Sequence, residues 1–414
     1  MIETKFKQTE LGPIPEDWEV GTFTDFLTTF SAGATPYRGI PDNFIGRIPW
    51  ISSGELNYCE INDTREHISL DAQRNTHLTV HKPGTFLIAI TGLEAAGTRG
   101  RCAFVKTPST TNQSCLAINS TDKMTVKYLF WFYRQWSDYL AFNFSQGSKQ
   151  QSFTAEIAKR LPIYAPPYKE QVMIAEALSD VDTLIRETDA LIEKKRAVMQ
   201  GSMQELLSAK RRLPGFSTPW KHIVFGDTVT IYRGGSPRPI ENFITTKPNG
   251  LNWIKIGDVR PKDKYIVQTA EKIIPEGLSS TREVHVGDFI LSNSMSFGRP
   301  YILKIDGCIH DGWLAITNYE NTFDKDYLYY LLGSDSVYKQ YLSLAAGSGV
   351  LNLNKKLVAA VELDIPDIEE QKAIAAILSD MDAEIAELEA KREKYASIRQ
   401  GMMQQLLTGK IRLI

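Results

Sequence analysis

The sequence predicts a mixed α/β (α+β) chain in which two similar globular units alternate with two long helices, the helices pairing as an antiparallel coiled coil about a pseudo-two-fold axis. Three observations predict this. The chain has 414 residues, enough for two to four cores of ordinary size. A segment of more than forty residues recurs two hundred positions later, and each copy carries an apolar seam at heptad spacing. The composition is that of a globular protein, 43% hydrophobic and 23% charged, with a net charge of −2. A uniformly basic nucleic-acid coat is excluded, though a local basic groove is not.

Residues 1–18 lack the basic-then-apolar pattern of a signal peptide, and no apolar run approaches the roughly 18–20 residues of a membrane span. A cytoplasmic location is expected. Cys59, Cys102, Cys115 and Cys308 form no CxxC pair, which favours free thiols over a disulfide framework or a zinc site.

The repeat sets the organisation. Residues 170–213 align without a gap on 370–413, with 22 identities in 44 positions. Glu170-Gln171 matches Glu370-Gln371, Leu178-Ser179-Asp180 matches Leu378-Ser379-Asp380, and Gln200-Gly201 matches Gln400-Gly401. The preceding stretches correspond more loosely. Pro49-Trp50-Ile51 pairs with Asn252-Trp253-Ile254, Gly54-Glu55-Leu56 with Gly257-Asp258-Val259, Gly100-Arg101 with Gly298-Arg299, and Gly147-Ser148 with Gly347-Ser348. The expected division is a first globular unit at 1–165, a helical spacer at 166–213, a second unit at 214–365 and a second spacer at 366–414.

Each spacer starts after proline (Pro166-Pro167 and Pro366), which suits a helix start, and holds no proline within its helical run. About forty helical residues span ~60 Å. The seams read Ile174, Leu178, Val181, Ile185, Thr188, Ile192, Lys195, Met199, Ser202, Leu206 and Ile374, Leu378, Met381, Ile385, Leu388, Arg392, Tyr395, Arg399, Met402, Leu406. Because the chain returns through a globular unit each time, antiparallel pairing is the natural geometry. Within the units, apolar runs at 86–90, 115–118, 223–225, 289–291 and 314–317 read as strands, and the aromatic-rich stretches 126–144 and 326–344 as helices.

Motifs that carry chemistry fail on inspection. Ala165-Pro166-Pro167-Tyr168 resembles an amino-methyltransferase loop, but alanine cannot accept the amino proton. Gly92 to Arg99 resembles a phosphate-binding loop with Thr98 where lysine is needed. His77 and His81 stand four apart in a context of turn and strand, against metal ligation. No catalytic or metal-binding residue is expected.

What the units offer instead is polar and basic residues in loops, suited to reading base edges and steadying phosphates. In the first unit these are Arg38, Arg47, Ser52, Ser53, Arg99, Arg101, Asn112, Gln113, Lys149, Gln150 and Gln151. In the second they are Arg233, Arg238, Lys255, Asn293, Ser294, Arg299, His310, Lys355 and Lys356. Each unit holds 16 basic and 16 acidic residues, so any DNA-facing site must arise by segregation of charge.

Taken together, the repeat, the Glu-Gln pairs, the Gly-Ser pairs, and Gly33-Ala34-Thr35-Pro36 with Gly234-Gly235-Ser236-Pro237 resemble the specificity subunit of type I restriction–modification systems, end to end. The first of these loops departs from the commoner Gly-Gly-Thr-Pro form. The resemblance implies two target-recognition domains, each reading one half of a split, asymmetric target in double-stranded DNA, with the helices fixing the gap. It implies no cofactor on this chain. Two modification (methyltransferase) subunits and the restriction subunits would bring S-adenosylmethionine, ATP and Mg. The modification subunits are expected near Ile174, Leu178 and Asp182, and near Ile374, Leu378 and Asp382. Two other readings stand beside it. A self-sufficient methyltransferase or nuclease would need a cofactor loop or acidic metal cluster, and a coiled-coil adaptor without DNA function would leave the duplicated, loop-rich units unmotivated.

Overall fold

A computed structural model describes residues 5–260, 263–293, 297–345 and 352–414. It comprises two compact units, Met1–Thr188 with Lys391–Ile414, and Asp189–Ala390. Gly347-Ser348 and Ser294 lie outside the described residues.

In the first unit a five-stranded sheet runs in the order Leu27–Ala32, Cys115–Ser120, Phe86–Ala89, Cys102–Val105, Glu60–Ile61. The strand Phe86–Ala89 is buried on both faces. Phe86 and Ile88 enter the larger core while Leu87 and Ala89 enter a smaller one, as the two-residue period of a strand requires. The helix Val126–Phe144 covers the larger core; the Thr125 hydroxyl accepts from the Tyr128 amide at 3.1 Å and starts it. A second sheet orders Thr110–Thr111, Ile48–Ile51 and Glu66–Ile68.

The second unit repeats this plan. Its first sheet runs Thr230–Arg233, Trp313–Thr317, Phe289–Ser292, Pro300–Leu303, Tyr265–Ile266, and its second grows to five strands around Leu251–Ile254. Asp324 caps the aromatic helix by accepting from Tyr327 at 3.0 Å. The single helix expected over 326–344 is two, Lys325–Leu332 and Asp335–Ala345: Gly333 is the C-cap of the first, and the Ser334 hydroxyl accepts from the Val337 amide at 3.4 Å where the second begins.

Both spacers are 39-residue helices, Tyr168–Leu206 and Ile368–Leu406. Within each unit, the beginning of one lies antiparallel against the end of the other. In the first unit Asp182 meets Arg399, and Glu170 meets Arg412. In the second, Lys195 meets Glu384 and Arg212 meets Glu370. Ile174, Ala175 and Leu178 join Met403, Leu406 and Leu407 in the first unit's core, and Ile374, Ala375 and Leu378 join Leu206 and Leu207 in the second. A fully buried Leu or Ile contributes about 1.5–3 kcal/mol, so the start of each helix is fastened to its own unit chiefly by these contacts.

The Glu-Gln pairs explain themselves here. Buried Glu170 takes both branches of the Arg412 guanidinium, at 2.8 Å each, and Glu370 takes Arg212 at 2.7 Å. Gln171 accepts from the Thr125 amide and donates to the Lys123 and Pro166 carbonyls, and Gln371 makes the same three bonds to Asp324, Thr322 and Pro366. The pair is the seat of the helix on its domain. The other near-motifs are equally structural. Ala165 ends the strand Pro162–Ala165, Tyr168 opens the long helix, and His81 is buried with its backbone bridged to Ser109. The four cysteines are free.

Candidate nucleic-acid interface

At one end of each unit's second sheet the same framework recurs. In the first unit Gly33 passes so close to the backbone that a Cβ would lie 1.9 Å from the Thr111 carbonyl oxygen. In the second, a Cβ on Gly234 would lie 2.1 Å from that of His310. Those glycines let the loop lie flat on the next loop, where the Thr35 hydroxyl donates to Gln113, and the Ser236 hydroxyl to Asp311 at 3.0 Å. The position after the first glycine differs. Ala34 packs against the cluster holding Trp50, whereas a Cβ on Gly235 would meet the Ser280 carbonyl oxygen at 2.5 Å.

Buried Trp50 and Trp253 form the floor, and the turn after each is tied by an acidic residue. Glu55 accepts from the Ser52 amide and hydroxyl and from the Arg65 amide, and Asp258 accepts from the amides of Lys255 and Ala270. Opposite the tryptophans, in register, stand Glu66 and Glu271. Each holds a cation from a different source. Arg38, from the glycine loop, makes two 2.9 Å bonds to Glu66 and stacks 4.5 Å from the Phe44 ring centre. Lys255, from the turn, lies 2.6 Å from Glu271. The Arg38 bonds hold the Glu66 carboxyl below its ordinary range. In the second unit Arg238, Lys255 and His310 also line a groove of about 680 Å³, with Glu241 and Glu271.

The family model described as the type I restriction modification DNA specificity domain matches this chain twice, over residues 15–194 and 218–396. The chain belongs to that family. It is similar to the putative type I restriction enzyme MjaX specificity subunit of Methanocaldococcus jannaschii, 26% identical with 99% of this chain and 97% of the relative covered. The type I restriction enzyme MjaIX specificity subunit of the same organism is 32% identical over 46% of this chain and 45% of its own length. Among solved structures, the type I restriction–modification S subunit from M. genitalium has the same fold, with a TM-score of 0.61 at 15% identity, covering 97% of this chain and 98% of that one.

On this specificity-family fold the expected readers separate into those presented and those consumed. Arg47, Gln113, Lys149 and Gln150 are exposed in the first unit; Arg233, Arg238, Arg299, Lys355 and Lys356 are exposed in the second. Others are spent on structure. Arg99 donates to Asp138 at 2.6 Å and to the Leu93 carbonyl, and Arg101 to the Gly97 and Gly54 carbonyls. Asn112 forms a turn with the Ser114 amide, and Ser52 caps a turn through Glu55. Asn293 is buried and donates to the Asp311 carbonyl at 2.8 Å. His310 accepts from the Gly312 amide and sits 2.9 Å from Asp311.

The expected docking residues are placed differently from the expectation. Ile174, Leu178, Ile374 and Leu378 are fully buried in their own units and offer no surface for a partner. Asp182 is buried among arginines at the edge of a hollow of about 440 Å³, and half-buried Asp382 borders a hollow of about 690 Å³. Sequence reasoning missed Glu66 and Glu271 as anchors. They stand at different distances from their tryptophans along the chain, so self-comparison does not align them. Glu55 and Asp258 were visible in the repeated Gly-Glu-Leu and Gly-Asp-Val pattern.

Proposed function

We propose that this chain is the non-catalytic DNA-recognition subunit of a type I restriction–modification complex in the cytoplasm. Residues 1–165 and 214–365 each read one half of a split, asymmetric target in double-stranded DNA. The helical spacers, 166–213 and 366–414, set the gap and dock two modification subunits, with restriction subunits completing the complex. S-adenosylmethionine, ATP and Mg enter through those partners.

The observation that carries this reading is a retained framework with exchanged side chains. The glycine loop, the buried tryptophan, the tied turn and the anchoring carboxylate recur. The groups they present change: Arg38 against Lys255 as the anchored cation, and Asn112-Gln113 against His310-Asp311 on the neighbouring loop. Direct readout needs such exchange, since arginine forks onto guanine while lysine, asparagine and histidine present other patterns.

Mapping methylated adenines in cells that express the complete system tests it. Exchanging 214–365 for the matching segment of a relative is expected to change one half of the methylated sequence and leave the other. A change in both halves refutes independent reading. Inserting one helical turn in either spacer is expected to alter the gap and neither half; an unaltered gap refutes the spacer role.

A further inference from the structure

Asp182 and Asp382 are the same residue in two copies of one helix, with opposite surroundings. Asp182 faces three guanidinium groups, Arg399, Arg134 at 3.5 Å and Arg186 at 3.9 Å. Arg134 also lies 4.7 Å from the Trp131 ring centre and 5.1 Å from that of Phe130. In the second unit the corresponding residues are Met199, Gly333 and Ala386, and the corresponding rings are Tyr330 and Tyr329. Asp382 keeps one hydrogen bond, from the Tyr330 hydroxyl at 2.6 Å. No ion pair to it forms among the described residues.

Asp182 borders a hollow of about 440 Å³ that Arg186 also lines, and the space beside Asp382 is larger. Two adjoining hollows of about 690 and 700 Å³ meet at Asp382, Met199, Met203, Tyr329 and Tyr330. Three cations line these hollows. Lys264 pairs with Asp326 at 2.9 Å and lies 4.8 and 4.7 Å from the Tyr329 and Tyr330 ring centres, Arg196 pairs with Glu193 and Glu389, and Arg299 lines the first hollow. A carboxylate with no ion pair among the described residues suits a planar guanidinium, which forks onto it. It disfavours a phosphate.

We propose that this cleft receives an arginine side chain from a protein partner docked on the second unit, so that the partner supplies the ion pair that Asp182 finds within its own unit and Asp382 does not. The inference rests on the docking role proposed above and makes the two docking surfaces unequal. Occupation of the second depends on Asp382, and occupation of the first does not.

Titrating the full-length chain with acetyl-arginine amide, followed by NMR, tests the cleft alone. Saturable binding is expected, weakened at least tenfold by Asp382→Asn and by Met199→Arg, and at least tenfold weaker for acetyl-citrulline amide. Equal binding of both probes, or binding unmoved by both variants, overturns the proposal. Native mass spectrometry of the chain co-expressed with its modification subunit tests the partner. The second copy is expected to be lost first, at least tenfold more readily, in either variant. Two copies held with unchanged affinity by both variants overturn the inference and leave docking intact. Failure of the unmodified chain to hold any modification subunit overturns the docking reading, and the inference with it.

Discussion

The two units close their cores with the same device at different strength. In the first, Arg412 grips buried Glu170 with one pair of bonds and Asp17 with another, at 2.7–2.9 Å. In the second, Arg212 grips Glu370 alone among carboxylates, spends a further bond on the Thr218 carbonyl, and is the more exposed of the two arginines. The buried glutamate is retained and its surroundings are not. A carboxylate sealed inside a core demands its cation, whereas groups nearer solvent are exchanged at little cost.

The largest expected effect follows from this. Arg412→Ala leaves Glu170 buried without its cation and is expected to cost the first unit about 3–5 kcal/mol, the range for breaking a buried pair. Arg212→Ala is expected to cost the second unit less. Chemical denaturation with hydrogen exchange resolving each unit measures both, and equal losses would erase the difference drawn here.

The next effect sharpens the contrast around the helical aspartates. Asp182→Asn strands three arginines against one another and is expected to cost about 2–3 kcal/mol, reduced from the full buried-pair value because Arg186 reaches solvent. Asp382→Asn keeps an oxygen to accept from Tyr330 and is expected to cost no more than about 1 kcal/mol. Paired thermal melts decide between them, and the reverse order would show that Asp382 is not short of an ion pair.

Much of this was legible in the sequence. Every seam position of both helices is buried or partly buried, and the interruptions at Lys195 and Arg399 are cross-helix ion pairs within their units. The apolar pattern marks a face that is covered. It does not say by what, so Ile174 and Leu178 were expected to meet a partner when they meet their own domain. The break at Gly333-Ser334 is not legible in the apolar pattern, because an isolated glycine inside a helical stretch is tolerated at a cost of about 1 kcal/mol. The readers were the least legible. Arg38 and Lys255 serve equivalent anchors from different loops, and arginines such as Arg99 and Arg101 are indistinguishable in sequence from exposed ones until their carbonyl partners are seen.

The smallest expected effect separates the units by pH. His81 is buried in the first unit, and the corresponding residue of the second is Val284, also buried. Burial penalises the charged imidazole and holds the His81 pKa below its ordinary value. With the folded pKa depressed, the unfolded chain takes up its proton first as pH falls. The contribution of His81 is therefore complete above the unfolded pKa of about 6.5 and is lost progressively below it. Acidification from pH 7.5 to 5.5 is expected to loosen the first unit around residues 81–85 by at most about 1.4 kcal/mol, with no counterpart around 284–288 from this cause. Hydrogen exchange at the two pH values measures the difference, and His81→Val is expected to abolish it. Loosening that persists in the His81→Val chain would assign the pH response to another group and leave the buried imidazole silent.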